Sequence, residues 1–161
     1  MTDKSRNILI VDDDKSIASS LGLIITKSGY NVDIAESAER AINIVKNGKF
    51  NIALIDIILP DKDGVSLLAS LKKIDPDLRG IVITGYASIE TAIGALNRGA
   101  SAYLTKPLHM DEVLATVNEI FEKIDLEQEK RIAEEELRKS IVRLKETLDG
   151  VMRTLEAIIE L

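Results

Sequence analysis

Four apolar runs in this chain lead to residues able to do chemistry. Ile8-Leu9-Ile10-Val11 runs into Asp12-Asp13-Asp14, and Ile52-Ala53-Leu54-Ile55 runs into Asp56. Gly80-Ile81-Val82-Ile83 is followed by Thr84, and Ala102-Tyr103-Leu104 leads, past Thr105, to Lys106. Carboxylates brought together repel, and each raises the pKa of the next unless a cation intervenes. A hard divalent ion with oxygen ligands meets that need. Mg²⁺ suits a site with few carboxylates that keeps waters and awaits a phosphate. A carboxylate, a metal site, a hydroxyl and a lysine at one point suit phosphoryl transfer, where catalysis is mainly positioning and charge stabilisation. Asp56 would then attack phosphorus in line as an ionised carboxylate. The metal, Thr84 and Lys106 would hold the three equatorial oxygens.

Whether these residues meet depends on the elements that carry them. Up to about residue 124, five short apolar runs alternate with five amphipathic stretches. Runs one, three and four are almost uninterruptedly aliphatic, as central parallel strands are when helices cover both faces. The second run, Asn31-Val32-Asp33-Ile34-Ala35, alternates as a strand nearer the sheet edge does. Between them, Ile17, Leu21, Ile24 and Ile25 recur at helical steps and stop at Gly29. Further stretches start from caps at Ser37 and Ser88 or follow Gly64, and a fifth begins near Met110. The alternation predicts an α/β, doubly wound (βα)5 sheet of flavodoxin-like order 2-1-3-4-5. In such sheets ligands bind beyond the carboxyl ends of the strands where the order reverses, here between strands one and three. That crevice collects Asp12, Asp13 and Asp56, with Thr84 and Lys106 on the same rim.

Composition removes other classes of function. The chain has 161 residues, 45% hydrophobic and 30% charged, enough for one core domain plus an appendage. With no cysteine there are no disulfides and no thiolate metal sites. The apolar runs are too short to cross a bilayer and the N-terminus lacks a secretory signal, so the cytoplasm is the expected compartment. A net charge of −6 and 3% aromatics give no footprint for direct nucleic-acid binding.

After Ile124 the character changes. Residues 125–136 are mostly charged, and then Leu137, Ile141, Leu144, Leu148, Val151, Leu155 and Ile158 recur at alternating steps of four and three. This heptad seam predicts a helical linker over 125–161 that pairs as a parallel homodimeric coiled coil, against the alternative of one amphipathic helix folded back on its own domain. Met152 and Ile159 widen the stripe, as if a further surface packs there. The chain stops at Leu161 in mid-helix, so an output domain is expected beyond it.

The ordered marks Ile8-Leu9-Ile10-Val11-Asp12-Asp13-Asp14, Asp56-Ile57-Ile58-Leu59-Pro60 with Asp63-Gly64, Thr84-Gly85 and Tyr103-Leu104-Thr105-Lys106-Pro107 resemble the response-regulator receiver family, over about residues 5–124. The resemblance implies that Asp12 and Asp13 bind Mg²⁺ with Asp56 and the backbone carbonyl of Ile58. It implies that Asp56 takes phosphate from a sensor histidine kinase, that Lys106-Pro107 is a cis peptide, and that Thr84 and Tyr103 form a switch pair. Ile58 and Tyr86 fall where that family tunes dephosphorylation. On this view the chain is no enzyme beyond handling its own phosphoryl group. The tail is similar to helices leading into HD-GYP phosphodiesterase domains, and such linkers also precede cyclase, kinase and phosphatase domains.

Each residue also has a plainer reading. Asp12 to Asp14 could be a helix cap run favoured by the helix dipole, with Asp14 a cap rather than a ligand. Asp56 could sit in a turn, Thr84 could simply end a strand, and Lys106 could be a surface lysine. His109, Tyr30 and Tyr86 read as surface, packing or loop residues. A haloacid-dehalogenase-type phosphatase needs a second aspartate two residues past the nucleophile, where this chain has Ile58. The last alternative is a dimerisation module with an unused acidic pocket.

Overall fold

The computed structural model describes residues 4–86 and 88–161; the first three residues of the expected 1–124 segment, and Ala87, lie outside the described residues. Ten elements alternate: β1 (Asn7–Val11), α1 (Lys15–Lys27), β2 (Asn31–Ala35), α2 (Ala38–Asn47), β3 (Ile52–Asp56), α3 (Gly64–Ile74), β4 (Arg79–Thr84), α4 (Ile89–Asn97), β5 (Ala100–Thr105) and α5 (Met110–Ile159). The strands form one sheet of order β2-β1-β3-β4-β5, every neighbouring pair parallel. This is the flavodoxin-like order expected from the sequence. By contact the chain divides into two compact units, Met1–Ile120 and Phe121–Leu161.

In the first unit, the aliphatic runs are buried because helices cover both faces of the sheet. Ile8, Leu9, Val11 and all of Ile52 to Ile55 are inaccessible to solvent. Each of the larger aliphatic side chains among them contributes about 1.5 to 3 kcal/mol of transfer free energy. At the edge, β2 leaves Asn31, Asp33 and Ile34 exposed and buries only Ala35 fully, so polar residues are tolerated in that run.

Side chains at the start of the strands tie neighbours together. Asn7, Asn31 and Asn51 lie together where β1, β2 and β3 begin. The Asn7 backbone N–H donates to Asn51 Oδ1 at 2.8 Å, and Asn31 Nδ2 donates to Asn7 Oδ1 at 3.0 Å. At the opposite rim Asp14, Ser37, Asp63 and Ser88 cap α1 to α4, each accepting from backbone N–H groups of its first turn. Gly29 turns the chain out of α1 with φ 97, a left-handed conformation that favours glycine. Carboxyl and hydroxyl groups are thus concentrated where the strands end.

The second unit is the greater part of α5. All seven heptad residues are exposed there, between 47% for Leu155 and 61% for Leu137. Ion pairs within the helix, Arg138 with Glu135 at 2.6 Å and Lys130 with Glu134 at 3.9 Å, support its middle turns. Among the described residues, no helix is long and apolar enough to cross a membrane.

Candidate functional site

The acidic site begins where β1 leaves the sheet. Asp12 is 2% exposed, and its backbone N–H donates to the Ala35 carbonyl at 3.1 Å. One of its oxygens accepts the Asp14 N–H at 2.9 Å. Asp14 itself accepts from the N–H groups of Ser16 and Ile17, which makes it the cap of α1. Across the sheet, Asp56 ends β3 and is 6% exposed. Its Oδ1 accepts the Ile58 N–H at 2.9 Å, and its Oδ2 accepts from Lys106 Nζ at 2.6 Å. Oxygens of Asp12, Asp13 and Asp56 all lie within 4.8 Å of one another, and only Asp13 opens freely to water.

Lys106 is placed by β5. Its backbone N–H donates to the Thr84 carbonyl at 2.7 Å, and the Lys106–Pro107 peptide is cis. Its ammonium reaches Asp56, with Asp12 Oδ2 at 3.7 Å. Burial acts to lower the Lys106 pKa, but the hydrogen bond to Asp56 and the charges of Asp56 and Asp12 carry it above its ordinary value. For Asp12, burial raises the carboxyl above its ordinary range, despite the opposing Asp14 N–H and Lys106. Three carboxylates face one ammonium, so negative charge is left over. A hard cation with oxygen ligands fits that donor set: a compact group of carboxylates, open on the Asp13 side to water.

The rim is completed by Thr84, 1% exposed at the end of β4. Its Oγ1 accepts the Tyr86 N–H at 3.1 Å. Tyr103, half-buried on β5, directs its hydroxyl to the Tyr86 carbonyl at 3.3 Å and to Thr91 Oγ1 at 3.2 Å. Thr84 and Tyr103 therefore share one backbone segment as neighbour. A depression of about 470 Å³, lined by Ile58, Leu59, Thr84 and Tyr86 among others, opens beside them. Ile58 and Tyr86 line it as exposed side chains, 71% and 80%.

The loop after β3 is held tightly. Ile58 and Asp63 form an antiparallel bridge across it, and the Gly64 N–H donates to the Ile57 carbonyl at 2.9 Å. A Cβ on Gly64 would lie 2.2 Å from the Asp56 carbonyl oxygen, so only glycine allows this approach. Asp61 ties the same loop to α2, its two oxygens each accepting at 3.0 Å from the Ala38 and Glu39 N–H groups. Those bonds hold its carboxyl below the ordinary value. Sequence reasoning missed Asp61 because its partners lie more than twenty residues earlier on another element. No local pattern signals such a bond.

Asp12, Asp13, Asp56 and Lys106 are thus brought together at the strand ends, and Thr84 closes the neighbouring strand with its side chain on Tyr86. His109 is exposed at the start of α5 and joins no site, while Tyr30 is buried with its hydroxyl on Asn118. Comparison with known proteins gives the same picture. The profile of the response regulator receiver domain matches residues 8–118.

The chain belongs to that family.

The receiver is 38% identical over 117 residues to the transcriptional regulatory protein ZraR of Escherichia coli, covering 73% of this chain and 26% of ZraR. It therefore spans about a quarter of that relative's length. A CheY-like receiver domain protein from Methanospirillum hungatei is similar in structure, with 40% identity, a TM-score of 0.72, and coverage of 76% of this chain and 98% of that one. A Burkholderia pseudomallei response regulator, solved with a phosphorylated aspartic acid, a calcium ion and citrate, gives 35% identity, a TM-score of 0.65, and coverage of 76% and 74%. The acidic cluster of Asp12, Asp13 and Asp56 is the pocket at which receiver domains bind a divalent metal. Nothing in these comparisons favours a phosphatase, and the position two residues past Asp56 carries the apolar Ile58.

Proposed function

We propose that Asp56 is the phosphoacceptor of a two-component phosphorelay, charged by a sensor histidine kinase and acting on a partner through α5. The observation that carries this is the placement of the Asp56 carboxylate. It is nearly buried, held by the Ile58 N–H and Lys106, and within 4.8 Å of Asp12 and Asp13. One Asp56 oxygen attacks phosphorus in line, the phosphorus–nitrogen bond to the donor imidazole breaks, and the freed electron pair stays on that ring nitrogen. Lys106 and Thr84 take the outer phosphoryl oxygens, with Thr84 Oγ1 leaving the Tyr86 amide to do so. Tyr103, on the same Tyr86 segment, responds to that departure and forms the switch pair with Thr84. Asp12, Asp13, Asp56 and the Ile58 carbonyl would hold Mg²⁺, which neutralises charge on the transferring group when bound.

This reading takes residues 1–124 as the receiver and 125–161 as a helical linker, with a homodimer along the exposed heptads. The change of compact unit at Phe121 and the end of the family match at residue 118 support that division. The chain turns over no external substrate, binds no nucleic acid directly, and works in the cytoplasm. Incubation with Mg²⁺ and acetyl phosphate, read by intact mass, should add one phosphoryl group. Asp56→Asn should remove the adduct, and chelation of the metal should suppress it. An adduct that survives Asp56→Asn sinks the assignment.

A further inference from the structure

The exposed stripe of α5 changes character half-way along. Its spacing puts Ile141, Leu148 and Leu155 at heptad position a, and Leu137, Leu144, Val151 and Ile158 at d. Up to Leu144 the a residue is β-branched and the d residues are Leu, the combination that favours two strands. From Leu148 onward the order reverses: Leu at a, β-branched Val or Ile at d. That reversed core shifts preference to assemblies of more than two strands.

The flanking positions change at the same point. Position e carries Arg138 and Lys145 in the first half, but Met152 and Ile159 in the second, 55% and 81% exposed. A two-stranded coil buries only a and d and would leave those two side chains in water. Four-helix packing buries a third column and takes them in. Position g holds Ser140, Thr147 and Thr154, small and uncharged, so no charge bars another helix on that side. The charges of the second half, Asp149, Arg153, Glu156 and Glu160, all fall at b and f, on the outside of such a bundle.

We propose that residues 148–159 form a four-helix interface through which two dimers of this chain join into a tetramer. The occupant of the widened face is a second dimer of the same sequence. The inference rests on the homodimer reading above, since residues 137–144 supply the pairs that meet. Sedimentation equilibrium of the unphosphorylated chain over a broad concentration range tests it. The expected species is a tetramer. Met152→Lys with Ile159→Lys should reduce it to a dimer with helix content unchanged by circular dichroism, because position e is solvated in a two-stranded coil. The exchanged core L148I/V151L/L155I/I158L, β-branched at a and Leu at d, should give the same dimer while keeping the seam apolar. A chain that stays dimeric at every concentration overturns the tetramer and leaves the homodimer standing. A tetramer that persists in both variants overturns it too, by placing the contact elsewhere. A monomer throughout removes the homodimer reading as well.

Discussion

Replacing Gly64 with alanine adds a single methyl group and tests how closely the β3–α3 loop is built around Asp56. The new Cβ would fall 2.2 Å from the Asp56 carbonyl oxygen, 2.8 Å from Ile57 Cα and 3.0 Å from the Asp56 carbonyl carbon. These are backbone atoms of the strand end, so no rotamer change relieves the clash. Ordinary contact would require a displacement of about 1 Å, and overpacking of this kind costs about 1 to 3 kcal/mol. The displaced segment carries the proposed nucleophile, and a misplacement of about 1 Å can slow a positioned reaction by about 100-fold. Urea unfolding reads the first effect. The rate of adduct formation from acetyl phosphate with Mg²⁺, followed by intact mass, reads the second. Gly94→Ala is the control, since a methyl group there would meet no atom within 4 Å and alanine favours a helix. A Gly64→Ala protein that is as stable as the parent and phosphorylated at its rate would refute the reasoning.

Two further substitutions address the charges. Lys106→Met leaves Asp12 and Asp56 facing each other without their ammonium, and both are nearly buried. With 26% of the Lys106 side chain exposed, the expected loss is near the low end for a broken buried pair, about 3 kcal/mol without metal. Urea unfolding with and without Mg²⁺ should then show a larger metal stabilisation in Lys106→Met than in the parent. Asp61 is held below its ordinary pKa of 3.8 by the Ala38 and Glu39 N–H groups, so the folded state binds its proton less readily than the unfolded chain. Its stabilisation is present above pH 3.8 and is lost as pH falls through the lower folded value. Asp61→Asn should therefore unfold at lower urea than the parent at neutral pH, and the gap should close in acid.

How far the sequence leads depends on whether the governing interaction is local. The aliphatic runs of β1, β3 and β4 could be read because burial on both faces demands an apolar residue at every step. The strand order then brought Asp12 to Asp56, and the switch point needs no side-chain detail. Asp14 was legible as a cap because an N-cap partner lies two or three residues ahead. The Asn7, Asn31 and Asn51 ladder left a usable trace, since three runs open on the same residue type and lie in register. That trace means something only once the runs are known to be neighbours.

Asp61 and Gly64 left a different kind of trace. Both sit in the loop after Asp56, one tied to α2 and the other pressed against the strand's last peptide. Neither touches the proposed phosphoryl group, yet between them they fix where that loop leaves β3. Motif spacing names the groups that react, because chemistry restricts their types. It does not name the residues that hold those groups still, because many residue types could do so and only the folded geometry selects them. If the Asp56 carboxylate owes its placement to this loop, Gly64→Ala should slow phosphorylation more than its loss of stability alone explains. Asp61→Asn should do so as well, at neutral pH and in a protein still fully folded.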